Sequence, residues 1–183
     1  MQQNREDEIL RRLKSPDTQR SAFTQLVNLY SEKLYWHIRK LVLNHDDAND
    51  ILQNTFLKAW LNIESFRGDS LLSTWLYKIA VNECITFLNK QRTQNNMSLD
   101  DTDVFLLERI KGDTFFDGDA AQIKLQEAIL TLPEKQRIVF VMKYFDDMKY
   151  EDMSQILETS VGALKASYHH AVKKVEEFLT KDV

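Results

Sequence analysis

Residues 65–92, SFRGDSLLSTWLYKIAVNECITFLNKQR, decide how this chain folds. Gly68 lies between Arg67 and Asp69, where a short turn can form, and Asp69 or Ser70 can cap the helix that the apolar spacing of 71–92 demands. Leu72, Leu76, Ala80 and Phe87 fall on one side of that helix, with Val81 and Ile85 on others. A helix apolar on more sides than a surface helix needs belongs at the centre of a bundle. One strip of it differs: Trp75, Lys78, Asn82, Thr86 and Asn89 recur every three or four residues and share a face, with Phe66 in the preceding turn. Bases stack on rings, a lysine meets phosphate and an asparagine reads a base edge, so this strip has the groups that hold a single nucleic-acid strand. Both rings could simply be core residues of the bundle, and composition alone favours that reading.

Composition points the same way for the fold. Two Pro and four Gly in 183 residues leave few helix breakers, and 43% hydrophobic residues are ample for helical cores. An all-α protein of one or two small domains is expected. No apolar run approaches a membrane span and the N-terminus MQQNREDEIL lacks a signal-peptide core, which predicts a soluble cytoplasmic protein without membrane insertion. Cys84 is alone, so a disulfide framework and a cysteine-built zinc site are both excluded. His37 and His45 are isolated, and adjacent His169 and His170 diverge by about 100° on a helix and cannot share a metal. Neither a cofactor nor a metal is expected, and no nucleophile–base pair or phosphate loop marks an enzyme.

A net charge of −4 looks wrong for a DNA binder until it is located. Residues 93–120 hold seven acids (Asp100, Asp101, Asp103, Glu108, Asp113, Asp117, Asp119) against Arg109 and Lys111, a local −5 that leaves +1 for the rest. Weak affinity for DNA without a partner follows, because phosphate neutralisation supplies most non-specific binding.

From the start, 4–14 can form a short helix that Pro16 separates from the next, with Asp17 placed to cap it. Phe23, Leu26, Val27, Tyr30, Leu34, Ile38, Leu41 and Val42 keep helical spacing over 18–43. Asp46 or Asp47 can cap a third helix running to Trp60. Its core stripe is Leu52, Phe56, Ala59 and Ile63, with Asp50, Asn54, Leu57 and Leu61 opposite. Two leucines on an outward face suit either a partner or a neighbouring helix. Residues 93–120 lack a sustained period and read as an acidic linker, with one turn of helix around 104–110. A second helical unit opens at 121–131. There Thr131-Leu132-Pro133-Glu134 has capping-box spacing, and Ile138, Val139, Val141, Met142 and Phe145 supply the next core stripe. A short helix over 150–157, the turn Glu158-Thr159-Ser160 and a helix from Val161 make a helix-turn-helix. Leu164, Tyr168, Ala171, Val175 and Phe178 are its core. Gly162, Ala166, His169 and Lys173 face outward, flanked by Lys165 and His170, as a helix entering a major groove requires.

Three ordered runs resemble extracytoplasmic-function (ECF, group IV) sigma factors of bacterial RNA polymerase. Phe66-Arg67-Gly68-Asp69-Ser70, Thr74-Trp75-Leu76-Tyr77 and Ile79-Ala80-Val81-Asn82 are similar to the promoter-melting region. Residues 47–56, DANDILQNTF, resemble the polymerase-docking helix, and Leu132-Pro133, Tyr150-Glu151-Asp152 and 160–165, SVGALK, resemble the duplex-binding domain. The resemblance spans about 20–92 and 121–179. It implies a two-domain helical initiation factor: a region-2-like bundle at 1–92, a flexible acidic linker at 93–120 and a region-4-like helix-turn-helix domain at 121–183. By the same token Phe66, Trp75, Lys78 and Asn82 would hold the melted minus-ten strand. Asp50, Gln53, Asn54 and Leu57 would dock on core RNA polymerase. Lys165, Ala166, His169, His170 and Lys173 would meet the minus-thirty-five duplex of promoter DNA.

Asn54 stands where the family usually has an acid, and Glu158-Thr159 lacks the glycine common in such turns. An anti-sigma factor, frequently membrane-anchored in this family, is an implied partner. The linker would thread the polymerase towards its RNA exit path. Its 28 residues span roughly 30 Å relaxed and at most about 90 Å extended, against about 70 Å for two duplex turns. A stand-alone helix-turn-helix regulator and a protein-binding helical adaptor are the competing readings. The first would bind duplex unaided, usually as a dimer; the second would need neither the strip nor the basic final helix.

Overall fold

The computed structural model describes residues 2–94 and 120–181, and all regular structure among them is helical. The expected linker falls almost wholly outside the described residues: Thr93 and Gln94 end one helix and Ala120 begins another.

The first group comprises α1 (Gln2–Leu13), α2 (Pro16–Val42), α3 (His45–Asn62), a 3-10 turn (Ile63–Ser65) and α4 (Leu72–Gln94). The helices follow the apolar periods, but their starts differ from the expected caps. Pro16 is the first residue of α2, where its missing N–H costs nothing, and Ser15 takes the cap position. Asp17 therefore lies inside the first turn. At α3 the cap is Asn44, whose side chain accepts the Asp47 N–H at 3.0 Å; Asp46 and Asp47 instead place charge at the positive end of the helix dipole. At α4 the Leu71 carbonyl accepts the Trp75 N–H at 3.1 Å, and the Ser70 hydroxyl turns to that same carbonyl at 3.3 Å.

Gly68 has φ +83°, which lets the chain reverse between Phe66 and α4. Nothing lies within 4 Å of a Cβ added there, so Gly68→Ala meets only backbone strain. A loss of about 1–2 kcal/mol is expected, to be read as a lower denaturation midpoint with an unchanged denaturant slope.

The second group is α5 (Ala120–Leu130), α6 (Glu134–Tyr144), α7 (Tyr150–Leu157) and α8 (Val161–Thr180). The capping box expected at 131–134 does not form. The Thr131 hydroxyl donates to the Ala128 carbonyl at 2.7 Å and closes α5, and Pro133 takes the cap position of α6. Arg137, 4% exposed, stitches these helices together by donating to the carbonyls of Leu130 (3.0 Å) and Leu132 (3.1 Å).

Each group has its own packing, α1 to α4 around α2 and α5 to α7 around α8, yet the two share a core. Ile138, Val139, Val141, Met142, Met153, Ile156 and Leu164 join one apolar cluster with Leu26, Leu34, Leu72 and Leu76. The crossing is made by α7 on α4 and α6 on α2. A small cluster of Leu43, Leu88 and Leu130 closes the other end of the contact.

Candidate nucleic-acid interface

Because α4 buries Leu72, Leu76, Ala80, Val81, Cys84 and Leu88, its remaining strip must face outward. Asn82, Thr86 and Asn89 are exposed, and Trp75 and Lys78 are half-buried. Phe66 is placed differently: at 8% exposure it belongs to the core, with its ring centroid 5.0 Å from that of Trp75 at 39°. It backs the strip and sets the Trp75 ring, and no open face of its own is offered for stacking. The Lys78 ammonium donates to Glu158 of the α7–α8 turn at 2.7 Å, and that hydrogen bond holds the Glu158 carboxyl below the usual carboxylate range. Burial pushes the Cys84 thiol well up, so it stays protonated beneath the strip.

On α3, Asp50, Gln53, Asn54 and Leu57 all face solvent. Leu57 is 55% and Leu61 71% exposed, so this face carries apolar surface that no helix among the described residues covers. Trp60 extends the patch at 36% exposure while its edge packs on Phe23, ring centroids 4.9 Å apart.

The helix-turn-helix forms with α7 anchored by buried Met153 and Ile156 and α8 by buried Leu164, Ala171 and Val175. Tyr168 and Phe178 are partly buried, on the same side. The Ser160 hydroxyl caps α8 by accepting the Ala163 N–H at 3.3 Å. Lys165, Ala166, His169, His170 and Lys173 are exposed together. The Lys165 ammonium lies 5.6 Å from the Tyr150 ring centroid and the Lys173 ammonium 3.9 Å from Glu177. Among the described residues no cluster of His, Cys, Asp or Glu could hold a metal, and no helix is long and apolar enough to cross a membrane.

The sequence reading missed the contacts between the groups. His37, fully buried in α2, pairs through Nδ1 with Asp146 Oδ2 at 2.6 Å, 109 residues away. Only its place on the helix face, three residues after Leu34 and one before Ile38, could have suggested burial.

Family models described as "Sigma-70 region 2" and "Sigma-70, region 4" match residues 26–94 and 122–175. The ECF RNA polymerase sigma factor SigW of Bacillus subtilis (strain 168) is 31% identical over 156 residues, covering 81% of this chain and 83% of that protein. RNA polymerase sigma factor SigV of the same strain is 29% identical over 170 residues, covering 93% and 98%. The fold is shared with two solved structures. One is the sigma factor RpoE with the anti-sigma factor NepR from Bartonella quintana (TM-score 0.68, 24% identity, 88% of this chain and 98% of that one). The other is CnrH with the cytosolic domain of CnrY (TM-score 0.72, 21% identity, 98% and 99%).

Proposed function

The chain belongs to the ECF sigma factors of bacterial RNA polymerase, and from that premise we propose how its three exposed faces divide the work of initiation. The α3 face of Asp50, Gln53, Asn54 and Leu57 docks on core polymerase. The α4 strip of Trp75, Lys78 and Asn82, backed by Phe66, holds the melted minus-ten strand. The α8 face of Lys165, Ala166, His169, His170 and Lys173 meets the minus-thirty-five duplex. Residues 1–92 and 121–183 then act as two domains, with 93–120 as the tether between them. The protein makes and breaks no covalent bond, and it works in the cytoplasm where its polymerase is. An anti-sigma factor keeps it silent, a reading supported by the similar sigma factor RpoE, whose structure was determined with the anti-sigma factor NepR.

The observation that carries the proposal is the separation of the faces. An apolar patch, an aromatic–cation–amide strip and a basic helix lie on three different helices, and each is at least partly open to solvent. An operator-binding regulator has no use for the first two. Stacking contributes about 1–3 kcal/mol per base, enough to retain an opened strand once polymerase has aligned it.

The test is run-off transcription with purified core polymerase on genomic fragments, which reads activity and promoter together. Asn82→Ala is expected to leave polymerase binding unchanged and to lower open-complex formation by roughly tenfold, the effect of losing one hydrogen-bonding base contact. Loss of polymerase binding instead would make Asn82 a structural residue.

A further inference from the structure

Glu6 of α1 is 3% exposed, and one of its carboxylate oxygens accepts the Tyr30 hydroxyl of α2. The other, Oε2, is buried and makes no hydrogen bond. A carboxylate oxygen taken out of water without a donor is strongly destabilised, so a group that supplies N–H donors there is favoured in proportion.

Glu6 lines a hollow of about 350 Å³, and three more carboxylates share that lining: Asp7 of α1, Asp69 of the turn before α4, and Asp152 of α7. Among the described residues none of the four pairs with a lysine or arginine. Asp152 has only the Thr74 hydroxyl, at 3.5 Å. Elsewhere on the same surface Glu83, Glu134, Asp147 and Glu158 each meet a lysine or arginine. The hollow therefore gathers acid that the rest of the fold leaves uncompensated.

Its lining also says which cation fits. No cluster among the described residues could hold a metal ion, and a strand phosphate would be repelled by like charge. The acids come from three elements and surround the hollow, an arrangement that suits the planar fork of five N–H donors on a guanidinium. Leu10 and Leu71 line the same hollow and give an aliphatic stem a surface to lie on.

We propose that this hollow binds an alkylguanidinium cation, with Glu6 Oε2 as the buried acceptor and Asp7, Asp69 and Asp152 balancing the charge. The site is separate from the three faces assigned above and stands or falls without them. Because its walls belong to α1, the turn before α4 and α7, the bound cation ties the N-terminal helix to the helix-turn-helix group. The cation arrives either as a small molecule or on an arginine side chain, and the recognition is the same for both.

The test is calorimetric titration of the full chain with butylguanidinium at low salt, beside a thermal melt. One-to-one binding with a raised melting temperature is expected. Glu6→Gln keeps the side-chain size and a carbonyl acceptor for Tyr30, and it is expected to weaken binding at least about tenfold. Asp69 is exposed, so Asp69→Asn tests the site without touching the core, and a loss of about threefold or more is expected. Tetramethylammonium has the same charge and no N–H, and it controls for diffuse attraction to the acids of 93–120; it is expected not to bind. Competition by acetyl-Gly-Arg-Gly-amide would support the site with an arginine side chain as its occupant, and butylguanidinium binding without such competition would support it with a free small cation. Absence of binding at millimolar butylguanidinium, equal affinity in the parent and both variants, or tetramethylammonium binding as tightly overturns the proposal.

Discussion

Leu57→Glu combined with Leu61→Gln is expected to weaken capture by core polymerase at least thirtyfold and to leave the melting temperature within about 2 °C of the parent. The two leucines are 55% and 71% exposed, so neither contributes much to the folded core. Glutamate and glutamine are good helix formers, and the uncharged residue is placed at 61 because a carboxylate near the C-terminal end of α3 would oppose the helix dipole. The folded chain loses little. In a docked complex the same changes remove two apolar anchors and leave a carboxylate against a surface that had been apolar. Truncating one anchor of this kind costs about 2 kcal/mol or more, which is the thirtyfold stated. Trp60 is left intact because its edge supports Phe23, and its loss would mix folding with binding. Titration of labelled core polymerase, beside a thermal melt of the free chain, checks both halves. Unchanged affinity would take α3 out of the docking surface.

The same helix shows why one part of the fold was legible in the sequence and another was not. Periodicity is local, and it placed α2, α3, α4 and α8 together with the outward side of α3 on which Leu57 and Leu61 lie. Caps are decided by single residues among competing donors and acceptors, so Asn44 displaced Asp46 and Asp47 without altering the span. Phe66 was read from the strip it adjoins, but its burial depends on a distant partner: Leu10 and Leu13 of α1 line the same hollow. Glu6 of α1 is likewise buried, accepting the Tyr30 hydroxyl. The pairs that join the two groups have no local signature at all. His37 and Asp146 look like an isolated histidine and a loop acid until the chain is folded. The missing turn glycine at Glu158 was visible as a departure from pattern; in the structure Glu158 takes the left-handed position itself, and its side chain accepts from Lys78.

Lys165→Glu with Lys173→Glu is expected to lower the affinity of the holoenzyme for linear duplex by roughly 60-fold at 0.1 M salt. The slope of log K against log salt should become shallower by about 1.8, since each phosphate contact contributes about 0.9. Both side chains are exposed on α8. The Lys165 ammonium lies 5.6 Å from the Tyr150 ring centroid at an exposed site, and the Lys173–Glu177 pair is an exposed i,i+4 contact worth only about 0.3–0.5 kcal/mol, so folding is little affected. The salt slope distinguishes a phosphate-binding face from a merely solvated one, because solvated lysines release no counterions on binding and their loss leaves the slope unchanged. His169 lies between the two lysines on the same face, where its ring can meet a base edge rather than the backbone. Its replacement by Ala should therefore leave the slope alone and reduce discrimination between the promoter fragment and a scrambled duplex by about fivefold to tenfold, the range of a single base contact. A double lysine variant with the parental slope would move the duplex-binding surface off α8. A His169→Ala protein that lost slope rather than discrimination would show that the helix positions the protein on the backbone without reading bases there.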